Sequence, residues 1–80
     1  MKGGKVMYRV IHIDSDERIK RISDLASKEP YEIFLSNSTT MLNAKSILGL
    51  FSLVGQNVNI VAEDNADPYR FMRVVDKMMG

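Results

Sequence analysis

The single histidine of the chain, His12, lies in the stretch VIHIDSDERI, where an apolar, strand-like run gives way to a charged, helix-like one. An imidazole just ahead of a helix N-terminus is a natural seat for a phosphoryl group, because unpaired backbone N–H groups and the helix dipole both favour an anion. The same position also suits a strand-end residue, half covered and hydrogen-bonded to a neighbouring backbone or carboxylate group. Two further kinds of side chain invite a chemical reading: the carboxylates Asp14, Asp16 and Glu17, and the serines Ser15 and Ser46. The carboxylates stand where a helix begins and suit capping and dipole charges better than an acid/base pair. A second acidic run, Glu63 to Asp67, reads as a solvated turn, and neither run has the pattern of a metal loop. Zero cysteines exclude disulfides, thiolate ligands and cysteine nucleophiles, and one histidine argues against a protein-built transition-metal site. No glycine-rich phosphate loop occurs, so the expectation is no metal and no cofactor.

These residues need elements to hold them. Lys5 to Ile13 alternates as a strand, with Val6, Tyr8, Val10 and finally His12 on one face and Met7, Arg9 and Ile11 on the other. A first helix is expected from about Ser15, on the repeat of Ile19, Ile22, Leu25 and Ala26, with Asp14 and Glu17 in a capping-box pattern and Pro30 as the stop. YEIFLSNSTTMLNA reads as a hairpin whose inward positions are Ile33, Leu35, Leu42 and Ala44, around an Asn37-Ser38 turn. KSILGLFSLVG is expected to be a short second helix, with Ser46 as N-cap and Gly55 as the left-handed residue that ends it. NVNIVAED supplies the last strand around Val58 and Ile60. Pro68 then opens a third helix whose buried stripe is Phe71, Val74, Val75 and Met78, with Met72 and Met79 read as further core filling. The order βαββαβα predicts one α+β domain over residues 1–80, with three helices on one face of a four-stranded antiparallel sheet.

Composition bounds the rest. Eighty residues, 45% hydrophobic and 26% charged, make one small domain with a single core. A formal net charge of +1 with dispersed charges argues against a nucleic-acid footprint or a polybasic membrane tail. The N-terminal MKGGKVMYRV lacks the apolar core of a secretory signal and no stretch approaches a bilayer span, so a cytoplasmic location is expected. Helix two is unusual in having almost no polar face: if Leu50 and Leu53 point at the sheet, then Ile47, Leu48 and Phe51 point partly outward beside Ser46, as a docking patch would.

KSILGLFSL, Lys45 to Leu53, resembles the segment around the regulatory serine of HPr, the histidine-containing phosphocarrier of bacterial sugar phosphotransferase systems. LASK at Leu25 to Lys28, the strand YEIFL and the hairpin into MLNAK fall where HPr proteins place equivalent elements. NIVAEDNAD looks like the family's last strand and turn, although the connection after Leu53 is a few residues short. The resemblance covers nearly the whole chain and implies the HPr-like open-faced sandwich. It fails at the family's defining segment, Gly-Ile-His-Ala-Arg-Pro-Ala, whose histidine carries a phosphoryl group from Enzyme I to sugar-specific Enzyme IIA. Without gaps, Ser15 stands at the histidine's place, Glu17 at the arginine's, Arg18 at the proline's and Ile13 at the glycine's. A serine ester is a stable end product, unlike a phosphoramidate, and Glu17 puts repulsion where the family has a guanidinium, which Arg18 partly offsets.

In Gram-positive HPr proteins the serine corresponding to Ser46 is phosphorylated by HPr kinase/phosphorylase, and the apolar residues beside it contact partners. The resemblance therefore implies a regulatory or docking protein, at most a phosphoryl carrier and otherwise no enzyme. It would act through Ser46 with Ile47, Leu48, Phe51 and Arg18. Its partners would be proteins: the kinase, a transcriptional regulator or phosphotransferase components. Neither nucleic acid nor membrane insertion is expected, and the chain would be a monomer or weak dimer. The alternative is a working phosphocarrier using His12, three positions early, in a rearranged loop. An unrelated ferredoxin-like βαββαβ module is a third reading, which strand order decides.

Overall fold

The computed structural model describes residues 8–80. It contains β1 (Tyr8–His12), α1 (Asp16–Ser27), β2 (Ile33–Ser36), β3 (Met41–Asn43), α2 (Ile47–Leu50) running into a 3₁₀ turn (Phe51–Leu53), β4 (Asn57–Ala62) and α3 (Pro68–Met79). The part of the expected first strand at Lys5 to Met7 lies outside the described residues. All four strands form one antiparallel sheet in the order β1-β4-β2-β3. Here β4 lies between β1 and β2, where a ferredoxin-like sheet places its third strand, so that reading is set aside and the expected open-faced sandwich stands.

Period-two patterning decides which sheet face is covered. Ile11, Ile33, Leu35, Val58 and Ile60 are buried beneath the helices, whereas Val10 on the opposite face is 57% exposed. From α1 come Ile19, Ile22 and Ala26, and from α3 the expected stripe Phe71, Val74, Val75 and Met78. Leu25 is only partly buried against this core, and Met79 likewise packs at its margin. Met72 is mostly outside it and 41% exposed, which corrects its reading as core filling: it lies beyond the buried stripe of α3.

Local chemistry sets the ends of the elements. Asp67 caps α3 by accepting from the Tyr69 backbone N–H at 3.1 Å, and Pro68 occupies the first turn, where its missing N–H costs nothing. The hairpin closes on Asn37 and Thr40, one residue later than the expected Asn37-Ser38 centre. Asn37 Oδ1 accepts from the backbone N–H groups of Thr39 and Thr40, while the Asn37 N–H donates to the Thr40 carbonyl. That side-chain turn explains the choice of asparagine. Gly55 adopts φ 91°, a conformation other residues rarely take, and its N–H donates to the Ile13 carbonyl at 2.7 Å. The chain can thereby pass from the 3₁₀ turn into β4 through only three residues, Val54, Gly55 and Gln56.

Candidate functional site

The N-terminus of α1, where sequence reading looks for a phosphoryl seat, borders a groove lined by Asp14, Ser15, Glu17, Arg18, Arg21 and Gly80. Ser15, not Asp14, is the N-cap: its extended backbone (φ −167°, ψ 166°) presents Oγ to accept from the Arg18 N–H at 3.3 Å. The Asp14/Glu17 capping box is therefore corrected, because the cap lies one residue further on and places Arg18 where a box needs Glu or Gln. Asp16 and Glu17 occupy the first turn of α1, where the dipole favours negative charge. The Ser15 hydroxyl also donates to Asp14 Oδ1 at 3.2 Å, so it is engaged twice by the fold.

Arg18 is held on both sides. Its guanidinium donates to the Met78 carbonyl at 2.6 Å, at the C-terminal end of α3, and contacts Asp14 Oδ2 at 3.4 Å. Arg18 beside Asp14, and then the Ser15 hydroxyl, hold the Asp14 carboxyl below its ordinary range. The guanidinium thus ties α1 to α3, and the groove presents two carboxylates, Asp14 and Glu17, beside its cations. That mixture is ill-suited to holding a phosphohistidine, even if an imidazole were present.

His12 is elsewhere. It ends β1 on the uncovered face of the sheet, opposite Asn57 of β4, and does not line the α1 groove. It is exposed, where sequence reading expects a half-covered residue, since only β4 flanks it on an edge strand. Its Nδ1 lies 2.8 Å from Asn57 Oδ1, so its partner is a side-chain amide in place of the expected backbone or carboxylate group. An amide oxygen only accepts, so in this pairing Nδ1 is the donor, and in the neutral ring Nε2 then holds the lone pair.

The second candidate surface is built on Asn43 to Leu53. Asn43 Oδ1 accepts from the Lys45 N–H at 2.9 Å, Asn43 Nδ2 donates to Glu32 at 2.6 Å, and Lys45 Nζ stands 3.8 Å from the same carboxylate. This anchored turn delivers Ser46 to the N-cap position, where its carbonyl accepts from Gly49 and Leu50. Its hydroxyl makes no capping bond, a correction to its reading as a plain cap, because the backbone there (φ −90°, ψ 74°) is not the extended form that turns Oγ onto the helix. Ser46 is exposed.

Helix two is likewise shorter than expected: four α residues and a 3₁₀ turn. Leu50 and Leu53 are buried, Ile47 and Phe51 are partly buried against the core, and Leu48 is 83% exposed. Of the three apolar residues that sequence reading places partly outward beside Ser46, only Leu48 is fully exposed, and Ile47 and Phe51 are partly covered. Of the sequence-derived residues, Ser46, Ile47, Leu48 and Phe51 share one segment. Arg18 and Ser15 belong to the α1 groove and His12 to the open face. Asn57 as the partner of His12 is the contact that sequence reading misses, since nothing local pairs residues 45 positions apart.

No family model matches the chain, and no curated protein matches it by sequence. Solved structures do. HPr-C-His from Thermoanaerobacter tengcongensis is 25% identical, with 91% of each chain covered and a TM-score of 0.72. The phosphocarrier protein HPr from Bacillus anthracis str. Ames is 18% identical, covering 92% of this chain and 96% of its own, with a TM-score of 0.69. The likeness spans nearly the whole of each chain, so the fold is that of the HPr phosphocarriers: an HPr-like α+β open-faced sandwich.

Proposed function

We propose that the protein is an HPr-like docking and regulatory protein related to the phosphoenolpyruvate-dependent sugar phosphotransferase system, acting on protein partners and not as a phosphohistidine carrier. The observation that carries this reading is the 83% exposure of Leu48 in a segment where Ile47 and Phe51 are partly exposed, next to the exposed hydroxyl of Ser46, which has no hydrogen-bond partner among the described residues. A leucine so placed gains by burial against a partner, and a phosphoryl group on Ser46 adds about −1.5 to −2 charges at the patch edge. Docking through Ile47, Leu48 and Phe51 would then be switched by local charge. The helix behind Ser46 has four residues and contributes little dipole, so the effect is one of charge beside the patch.

Loss of the carrier function is supported by the α1 groove. The hydroxyl at the family's histidine position is tied to Asp14 and to the Arg18 N–H, and the nearest guanidinium is tied to Met78. The competing carrier reading rests on the free Nε2 of His12, which lies outside that groove. Incubation with phosphoenolpyruvate and Enzyme I separates the two readings. We expect no acid-labile phosphate on the chain. Label on His12 that passes to an Enzyme IIA domain would overturn the proposal.

A further inference from the structure

We propose that the seam between α1 and α3 is a docking surface for an acidic segment of a protein partner. The buried stripe of α3 fixes its orientation, which puts Arg70, Arg73 and Lys77, spaced i, i+3 and i+7, together on one flank. That flank faces α1. Arg70 Nε donates to Glu29 at 2.6 Å, Arg18 reaches the Met78 carbonyl, and Arg21 makes a long contact of 3.5 Å to the Lys77 carbonyl. Two elements far apart in sequence therefore pool their cations along one line.

Along the seam Glu17, one turn before Arg21, is the carboxylate with no cation within 4.0 Å among the described residues, and the others are already engaged. Glu29, its side chain 10% exposed, is held by Arg70; Asp14 is held by Arg18 and Asp24 by Lys28. Arg21, Arg73 and Lys77 have no carboxylate within 4.0 Å among the described residues, and all three are exposed. Asp76, three residues after Arg73, stands 4.0 Å from Arg9 of β1. A chain of net charge +1 thus carries a locally cationic strip.

The shape of the strip selects its occupant. Arg70 to Lys77 covers about 10 Å of helix axis, so the cations form a row and do not converge on one point as they would for a single small anion. Three unpaired cations are also few beside the roughly 6–10 phosphate contacts of a salt-sensitive nucleic-acid interface. A polypeptide with carboxylates repeating at helical spacing matches the row charge for charge. The proposal is independent of Ser46 and Leu48, which belong to another segment.

The test is fluorescence anisotropy of a labelled peptide with glutamates at i, i+3, i+4 and i+7, titrated with the full chain. We expect saturable binding that weakens severalfold between about 50 mM and about 200 mM salt. It should weaken about tenfold in the double variant Arg73→Glu/Lys77→Glu. Lys20→Glu should leave binding unchanged. The neutral pair Arg73→Gln/Lys77→Gln, with helical content checked by circular dichroism, serves if the reversed pair does not fold. Four results would overturn the proposal: no binding, or binding insensitive to charge removal; competition by inorganic phosphate at equal affinity; binding to phosphatidylserine vesicles without binding to the peptide; or self-association that charge removal abolishes, which would assign the strip to a second copy.

Discussion

Ser15 and Ser46 each immediately precede a helix, yet their hydroxyls are used differently. Ser15 has extended backbone, caps a twelve-residue helix and donates to Asp14; Ser46 leaves a tight turn at ψ 74°, heads four α residues and keeps its hydroxyl free. Around Ser15 the polar atoms bind one another and tie α1 to the end of α3. Around Ser46 the polar atoms of Asn43, Lys45 and Glu32 hold the backbone turn and leave the hydroxyl out. Two helix starts can thus share a sequence signal and differ in which one has a side chain to spare for an outside partner.

The contrast is sharpest inside α2, where two leucines lie two positions apart. Leu50 is fully buried, so Leu50→Ala should cost about 2–5 kcal/mol in denaturant unfolding. Leu48→Ala should stay within about 0.5 kcal/mol of the parent while losing partner binding. Equal costs would mean that Leu48 is a core residue and would remove the docking patch. The serines come next in size. Ser15→Ala should destabilise by about 1 kcal/mol, and Ser46→Ala by less than about 0.5 kcal/mol. A reversal of that order would break the comparison.

The smallest effect is electrostatic. Asp14 titrates below its ordinary range when folded, chiefly because of Arg18 and then Ser15. Its folded pKa is depressed, so its contribution to stability is present above the unfolded value and is lost as pH falls through the folded one. In an NMR titration Ser15→Ala should move the Asp14 midpoint upward, whereas Ser46→Ala should leave it in place. Tyr31 shows the opposite sign. Burial first, and then the Glu29 carboxylate, push its hydroxyl up to about 12, so the Tyr31 contribution holds below the ordinary tyrosine range and fades as pH rises toward that value. Absorbance titration of the phenolate checks it.

Much of the fold is legible in the sequence because its signals are local. The alternation of Ile33 and Leu35, Pro68 after Asp67, and the Phe71, Val74, Val75, Met78 stripe each depend on a few adjacent residues. Helix two is less legible, because a nearly all-apolar run has no 3.6-residue period from which to read its length. The cap of α1 is ambiguous for a related reason: Asp14, Ser15 and Asp16 are all competent caps, and tertiary packing selects Ser15. The cationic seam is invisible along the chain, since Arg21 and Lys77 become neighbours only when α1 packs on α3. At the candidate site, the outward position of Leu48 follows from spacing, whereas the partial cover of Ile47 and Phe51 depends on tertiary packing and the uncapping hydroxyl of Ser46 on backbone angles that no residue type specifies.

The most direct measurement is phosphosite mapping by mass spectrometry after incubation with HPr kinase/phosphorylase and ATP. The free hydroxyl beside an exposed leucine predicts one phosphoryl group, on Ser46, absent in Ser46→Ala and unaffected by Ser15→Ala. Label on Ser15, or label that survives Ser46→Ala, would contradict the account.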